Sequence, residues 1–473
     1  MTSGQAEREP PAIAAPGQWL AAIVFLTTAA RSLLGSVFFG FHSGDDLEIL
    51  EAGFLRALGW PYEPWAIRNL LVSDLLVAPV LRLGAALGGG SVETLAWLGS
   101  LPFVALASIN VWLVYRLTLR WCGGSDPAVV AAALYACHWI PLGYGTMVYP
   151  RTAAVTAILL ATLTLLGPTR SRWRAAGAGG LVAVAWALRY SEAVFLLPLC
   201  AALWLRGGRV RDRLLDAVAL GAGFALGSLV TVGLVDALTW GKPFGSLLAF
   251  ADYTLVERQA SSLEPNQPWY WYLRRLPKWL PLTLLPLLWR ARTLRGSNAM
   301  ALFVVLPLLV LSAIHHKTLR YLQGVIPFVA VLGAAGWWLW WREGRRRLAG
   351  VLCALSLLLG LSGITFLAKK SMAAVVAARA IAAAGEGGPV ALSQAWAYGN
   401  DLYLGQGVGI VELGYPLDVG ALGDRVAGCR WVAFYAKELA RSPQVEPLLA
   451  EAGFDRLATY GWGRSEPVVV YRR

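Results

Sequence analysis

Phe41-His42-Ser43-Gly44-Asp45-Asp46-Leu47-Glu48-Ile49-Leu50-Glu51 follows directly on the first long apolar run of the chain, about Trp19 to Phe39. That run is long enough to cross a bilayer, which needs roughly 20 apolar residues. It reads as a retained membrane helix rather than a cleaved signal. Several carboxylates therefore stand at the lip of a membrane span. Charge beside hydrocarbon is costly unless it has a partner or a use. Adjacent carboxylates repel, so one of the pair is expected to hold a raised pKa. Two readings follow: a general base at a membrane-edge site, or a solvated loop whose acids face water and the first turn of a helix.

The rest of the composition decides the class. The chain has 473 residues, 57% hydrophobic and 15% charged, with a mean hydropathy of +0.56. Soluble domains carry about 25% charged residues, so this is a polytopic, all-α membrane protein. A net charge of +13 suggests nucleic acid only if the membrane is ignored, and no nucleic-acid partner is expected. Four of the five cysteines (Cys122, Cys137, Cys200, Cys353) lie in or beside apolar runs, and only Cys429 in a long polar region. No disulfide framework is implied.

Residues 1–17 are polar, rich in Pro and Ala, and read as a disordered cytoplasmic N-terminus. Further apolar runs lie near 92–115, 127–147, 152–168, 175–188, 193–205, 214–238, 277–289, 298–314, 321–341 and 349–367. The amphipathic stretch 69–87 reads as an interfacial or re-entrant helix. The pair 175–188 and 193–205 flanks Arg189-Tyr190-Ser191-Glu192 and reads either as two spans or as a buried hairpin. Arginine clusters recur in every second loop: Arg116 and Arg120; Arg170, Arg172 and Arg174; Arg206, Arg209, Arg211 and Arg213; Arg290, Arg292 and Arg295; Arg342, Arg345, Arg346 and Arg347. The positive-inside rule makes those loops cytoplasmic. The alternation suits about eleven spans over residues 18–367, with external loops at 41–90 and 239–276. Residues 368–473 have ordinary soluble composition. Their strand-like runs (390–392, 431–435, 468–471) and a helix-like run (445–452) predict a small external α/β module.

The chemically unusual residues then share the outer side. His315-His316-Lys317-Thr318-Leu319-Arg320 joins two spans and sets Lys317 and Arg320 on one helical face. Cations placed against the positive-inside rule suit an anionic ligand such as a lipid phosphate, or snorkel to headgroups. Two histidines without further ligands make a poor metal site. Trp269-Tyr270-Trp271-Tyr272 suits an interfacial belt or a platform for sugar or isoprenoid faces. Arg68, Arg151 and Arg189 are external arginines near span ends, each able to pair a phosphate or a carboxylate.

In that order the motifs resemble glycosyltransferase family 22, the polyprenyl-phosphate-mannose-dependent mannosyltransferases with the multispanning GT-C fold. The family's first-loop pattern is close to His-Pro-Asp-Glu-x-x-Gln-x-x-Glu, and the stretch His42 to Glu51 lies on it without a gap. Tyr62-Glu63-Pro64-Trp65-Ala66-Ile67-Arg68-Asn69 resembles its Trp-Glu-x5-Arg-Ser segment. Gln267-Pro268-Trp269-Tyr270-Trp271-Tyr272 resembles His-Pro-Trp-x-Trp-Tyr. His316-Lys317-Thr318-Leu319-Arg320-Tyr321 resembles His-Lys-Glu-x-Arg-Phe. The first acid of the family pair falls on Gly44, and Thr318 replaces a glutamate. The resemblance implies a catalytic base at Asp45 or Asp46. It implies a donor phosphate held by Lys317, Arg320 and Arg151, and substrate contacts from His42, Glu51, Arg68, Trp269, Trp271 and His316. It further implies a polyprenyl-phosphate-linked sugar as donor; a glycan, lipid or protein as acceptor; an inverting single displacement; and no obligatory cofactor or metal. A transporter or flippase of lipid-linked substrates is the alternative. It would want mid-span ionisable groups and matching broken helices, which the sequence does not display. The Arg/Ala/Gly-rich composition points to a prokaryotic cytoplasmic membrane, with the site facing outward.

Overall fold

The computed structural model describes residues 13, 15–37, 44–60, 66–88, 91–167, 169–256, 267–365, 373–405, 407–414, 417–461 and 466–473. Helix α1 (Pro16–Val37) starts with proline at its first position, where no N–H is needed, and runs along the rim of a helical bundle. Phe25 and Leu33 on it stay exposed, as a lipid-facing surface requires. Helix α2 (Gly44–Leu58) opens on the acidic stretch. It pairs with a π-turned segment, Leu71–Val77, that continues into α3 (Ala78–Ala86). Gly53 makes the pairing possible, because a Cβ there would lie 2.4 Å from Val77. The amphipathic stretch is thus a short helical arm leaning on α2.

Helix α4 (Val92–Cys122) is capped by the Ser91 hydroxyl, which accepts from the Thr94 N–H, and ends on left-handed Gly123. It is followed by α5 (Ser125–Ala136), α6 (Trp139–Tyr144), α7 (Pro150–Leu165) and α8 (Arg172–Leu188). A 3-10 turn over Tyr190–Phe195 leads into α9 (Leu196–Leu205). Helix α10 (Val210–Ser228) runs through a π-turn into α11 (Val235–Trp240). Helices α8 and α10 touch backbone to backbone. A Cβ on Gly179 would meet the Leu220 carbonyl at 2.0 Å, and one on Gly223 would meet the Ala176 carbonyl at 1.9 Å. Small residues let membrane helices gain van der Waals contact this way, since lipid supplies no hydrophobic drive between them. After α12 (Gly245–Ala251) come α13 (Trp271–Arg274), α14 (Leu276–Trp279), α15 (Leu285–Ala291), α16 (Ser297–Ala313), α17 (Ile326–Arg342) and α18 (Arg346–Ser362).

Among the described residues, three helical runs, Pro16–Ser36, Val92–Cys122 and Val210–Trp240, are long and apolar enough to cross a membrane. The count of about eleven spans is not reproduced as eleven such helices. Several of the apolar runs are divided by 3-10 turns or prolines, as at Tyr190–Phe195 and Leu282–Leu284, and others stop at 16 or 17 residues. The arginine clusters do gather at one end. Arg120 donates to the Leu163 carbonyl at 3.2 Å, Arg170 pairs with Asp216 at 2.6 Å, Arg206 donates to the Gly167 carbonyl at 2.8 Å, and Arg290 pairs with Glu343.

The C-terminal part is a mixed five-stranded sheet in the order β2-β1-β3-β5-β4. It comprises β1 (Val390–Leu392), β2 (Ile410–Glu412), β3 (Trp431–Tyr435), β4 (Asp455–Tyr460) and β5 (Val468–Arg472). β1 runs parallel to both neighbours, and β5 antiparallel to β3 and β4. The three strands and the helix (Val445–Glu451) expected from sequence are present, and β2 and β4 join them. The sheet has two apolar faces with the period of two that a strand imposes. Val432 and Phe434 pack under the module's own helices Ala436–Arg441 and Val445–Glu451. Trp431, Ala433 and Tyr435 face the other way, into a core continuous with α2 and the bundle. The helix Ala373–Ala383 lines that inner side, and its Arg379 pairs with Glu93 at the start of α4, 2.9 Å away.

Candidate active site

Opposite the arginine-rich end, the loop His315–Thr318 is clamped to the aromatic segment that opens α13. The Gln267 N–H donates to the His315 carbonyl at 3.2 Å. Lys317 is buried, and its ammonium donates to the Gln267 carbonyl at 2.8 Å and to the Ile314 carbonyl. The Tyr272 hydroxyl donates to the Thr318 carbonyl at 3.3 Å. Two motifs fifty residues apart in sequence are thereby one structure. Burial lowers the Lys317 pKa, because a low-dielectric surround disfavours the cation. The His316 ring meets Tyr321 edge-on at 5.8 Å. The aromatic run divides: Tyr272 is buried, Trp271 meets it edge-on at 5.0 Å and carries Arg275 over its ring, and Trp269 stays 68% exposed.

The next layer is built on α7. Tyr149 and Pro150 start the helix and bring Arg151, 1% exposed, under the 3-10 turn Leu319–Gly324. Its guanidinium pairs with Glu192, donates to the Ser191 hydroxyl at 3.0 Å and to the Tyr321 carbonyl at 3.2 Å, and lies 4.7 Å from the Tyr321 ring centroid. Its Nε has no partner among the described residues. Of the two partners that the sequence leaves open for Arg151, a phosphate or a carboxylate, the structure supplies a carboxylate, in a buried pair with Glu192. Arg320, on the same 3-10 turn as Tyr321, is near enough to Arg151 for the like charges to interact. Gly324 lets this turn approach, since a Cβ there would meet the Phe195 ring at 2.8 Å.

On the other side of the Tyr190–Phe195 turn, a second polar network reaches the acidic helix. Tyr190 and Ser246 share a hydroxyl–hydroxyl hydrogen bond of 2.5 Å. The Ser246 N–H and hydroxyl donate to the buried Asp236 carboxylate at 2.8 and 2.6 Å. The Asn69 amide donates to the same carboxylate at 3.4 Å. Arg68, its neighbour, pairs with Glu48 of α2 at 2.9 Å, and the Trp240 indole donates to the Arg68 carbonyl at 3.3 Å. Glu51 of α2, the acid expected to contact substrate, is buried and engaged in an interaction. Asp45 and Asp46 occupy the first turn of α2. Their side chains, and all of His42, lie outside the described residues. Asp236 is not singled out by the sequence, and Glu192 enters there only as the end of the turn Arg189–Glu192. Each is an acid at the outer end of an apolar run, and that position was the available signal.

This arrangement offers a cationic, aromatic cradle on the side away from the arginine-rich end, and the network through Tyr190, Asp236 and Asn69 leads from it toward the helix whose first turn carries two acids. The fold is the GT-C glycosyltransferase fold. The chain superposes on ArnT from Cupriavidus metallidurans bound to undecaprenyl phosphate with a TM-score of 0.64 at 14% identity, covering 97% of this chain and 98% of that one. It superposes on the Archaeoglobus fulgidus oligosaccharyltransferase AglB, in complex with an inhibitory peptide and a dolichol-phosphate, with a TM-score of 0.58 at 10% identity, over 92% and 71% of the chains. Residues 68–387 match the model of the Alg9-like mannosyltransferase family, and the chain belongs to that family. GPI mannosyltransferase 3 of Drosophila melanogaster is 26% identical over 294 residues, 59% of this chain. The chain matches about half the length of that relative, 49%.

Proposed function

We propose that this integral membrane protein transfers a sugar, mannose by its family, from a polyprenyl-phosphate carrier to an acceptor hydroxyl on a glycan, lipid or protein. The clamping of Lys317 against Gln267, beside Arg151, Arg320 and Tyr321, carries the reading. It builds a basic cradle where the positive-inside rule disfavours loose cations. Structural relatives at low identity hold undecaprenyl phosphate and a dolichol-phosphate, which fits a donor of the same class here.

In this scheme Asp45 or Asp46 takes the proton of the acceptor hydroxyl. The acceptor oxygen attacks the anomeric carbon, the bond from that carbon to the phosphate oxygen breaks, and polyprenyl phosphate leaves. A single displacement inverts the anomer. The negative charge growing on the leaving phosphate is met by Lys317, held in place by two carbonyls, and by Arg320. Arg151 sits behind them, neutralised by Glu192, and shapes the cradle through Tyr321. No cofactor takes part. The site faces outward, on the side of the C-terminal module. The test is to incubate purified protein with polyprenyl-phosphate-mannose and an acceptor mixture, and to follow release of polyprenyl phosphate. Absence of release with any polyprenyl-phosphate sugar refutes the reading.

A further inference from the structure

The C-terminal sheet has a feature that the donor site does not use. β1 lies between β2 and β3 and is parallel to both. The chain therefore leaves β1 for one side and later returns to the other. In open parallel sheets the crevice outside the carboxyl end of such a strand is where ligands bind. Here that end is the loop Ser393–Asn400.

The loop is built unlike a plain connection. Gln394 holds a φ of +52°, a left-handed conformation uncommon for a residue with a side chain and typical of functional loops. Its amide donates to Glu438 at 2.6 Å, and Glu438 also accepts from the Tyr435 N–H at 3.3 Å. Ser393 and Tyr398 are fully buried, and their hydroxyls lie near each other. Beyond the contact of the two hydroxyls with each other, Ser393 Oγ, Tyr398 Oη and Asn400 Oδ1 have no hydrogen-bond partner among the described residues. A buried polar group left short of partners is costly, so a hydroxyl pair and an amide oxygen with spare capacity within eight residues mark a place suited to a polar ligand. The loop also packs on α2: Gly399, at φ +66°, sits where a Cβ would be 3.0 Å from the Leu47 side chain, one residue after Asp46.

We propose that this loop is the acceptor wall of the active site, binding the hydroxyl-rich head of a neutral glycan beside the first turn of α2. The assignment rests on the transferase reading above. Its chemistry selects the ligand. The groups with spare capacity are hydroxyl and amide atoms, the ring of Tyr435 lies 6.2 Å from that of Tyr398, and Glu438 is the charged group at the base. The nearby Lys437 is held by Glu466 at 2.7 Å. Aromatic faces with hydroxyl and amide groups suit a sugar, whereas an anion would meet Glu438.

The test uses the full chain in nanodiscs, with octyl α-mannoside as acceptor probe and polyprenyl-phosphate-mannose as donor. Tyr398→Phe and Asn400→Ala should each weaken glycoside binding about fivefold, the loss expected for one hydrogen bond. Donor binding, which depends on Lys317 and Arg320 rather than on this loop, should stay as in wild type. If these groups are only packing defects, Tyr398→Phe raises the melting temperature and leaves glycoside affinity unchanged. That result, or a wild type that binds no octyl α-mannoside saturably, overturns the proposal. A wild type that binds the glycoside but never releases polyprenyl phosphate refutes the transferase reading while the glycan site stands.

Discussion

Lys317 shows how burial and position combine at one residue. Its ammonium is held by two carbonyls and its pKa is lowered by burial. A free lysine titrates at about 10.4. In the folded chain, protonation is lost at a lower pH, so the buried cation costs stability near neutrality, and that cost disappears as pH rises toward the unfolded value. Binding of a phosphodiester needs the cation. Donor affinity should therefore fall as pH climbs through the lowered pKa, and Lys317→Ala should weaken donor binding about tenfold and flatten the pH profile. Equilibrium binding between pH 7 and 10 checks both. Arg151 and Glu192 make the opposite case. Breaking a buried pair strands a charge, at about 3–5 kcal/mol, whereas replacing both partners by apolar groups is often neutral. Glu192→Gln should thus lower stability strongly, and Arg151→Met with Glu192→Leu should recover most of it, as denaturation midpoints would show. For the base, one of Asp45→Asn and Asp46→Asn should lose roughly 10²–10⁴ in turnover, the contribution of a positioned general base, while donor still binds. Equal turnover in both variants and wild type would remove the acidic turn from the chemistry. Lys317, Arg320 and the acids stand out in the sequence by residue type at a membrane lip, which is what makes them candidates. The Arg151–Glu192 pair does not, because nothing in a sequence says that two distant turns, each with its own charge, will meet.

At the scale of elements, apolar runs marked most helices but not their breaks. The run 193–205 reads as continuous, yet its helix begins only after a 3-10 turn over Tyr190–Phe195, because Ser191 and Glu192 turn inward to Arg151. β4 escaped reading because Asp455 and Arg456 open it and it sits at the sheet edge, where alternation is not enforced by burial on both faces. The contact between α8 and α10 was equally invisible to hydropathy, although Gly179, Gly223 and Gly227 carry it. Gly223→Leu would place a side chain into the Ala176 carbonyl. The helices must part, and overpacking of this kind costs about 1–3 kcal/mol or more. We expect a clear fall in melting temperature for Gly223→Leu and almost none for Gly221→Leu on the open face of the same helix, where nothing lies within 4 Å. Similar melting of the two variants would mean that the close seam contributes no stability.

For the whole molecule, hydropathy and the alternation of arginines separated a bundle from a C-terminal α/β part, and the structure gathers the arginine clusters at one end as that alternation requires. What the sequence did not disclose is that the two parts share a core. Trp431, Ala433 and Tyr435 on the sheet and Leu47, Leu50 and Phe54 on α2 belong to one apolar body. Thermodynamically, the α/β part is then no separate folding unit. Heating should give one transition rather than two, and exchange of amide hydrogens in β1 and β3 should require opening of the bundle as well. Any ligand that binds only the folded chain stabilises it by RT ln(1 + [L]/Kd). A donor lipid seated at Lys317 should therefore slow hydrogen exchange in β1 and β3 by the same factor as in α2, although it touches neither strand.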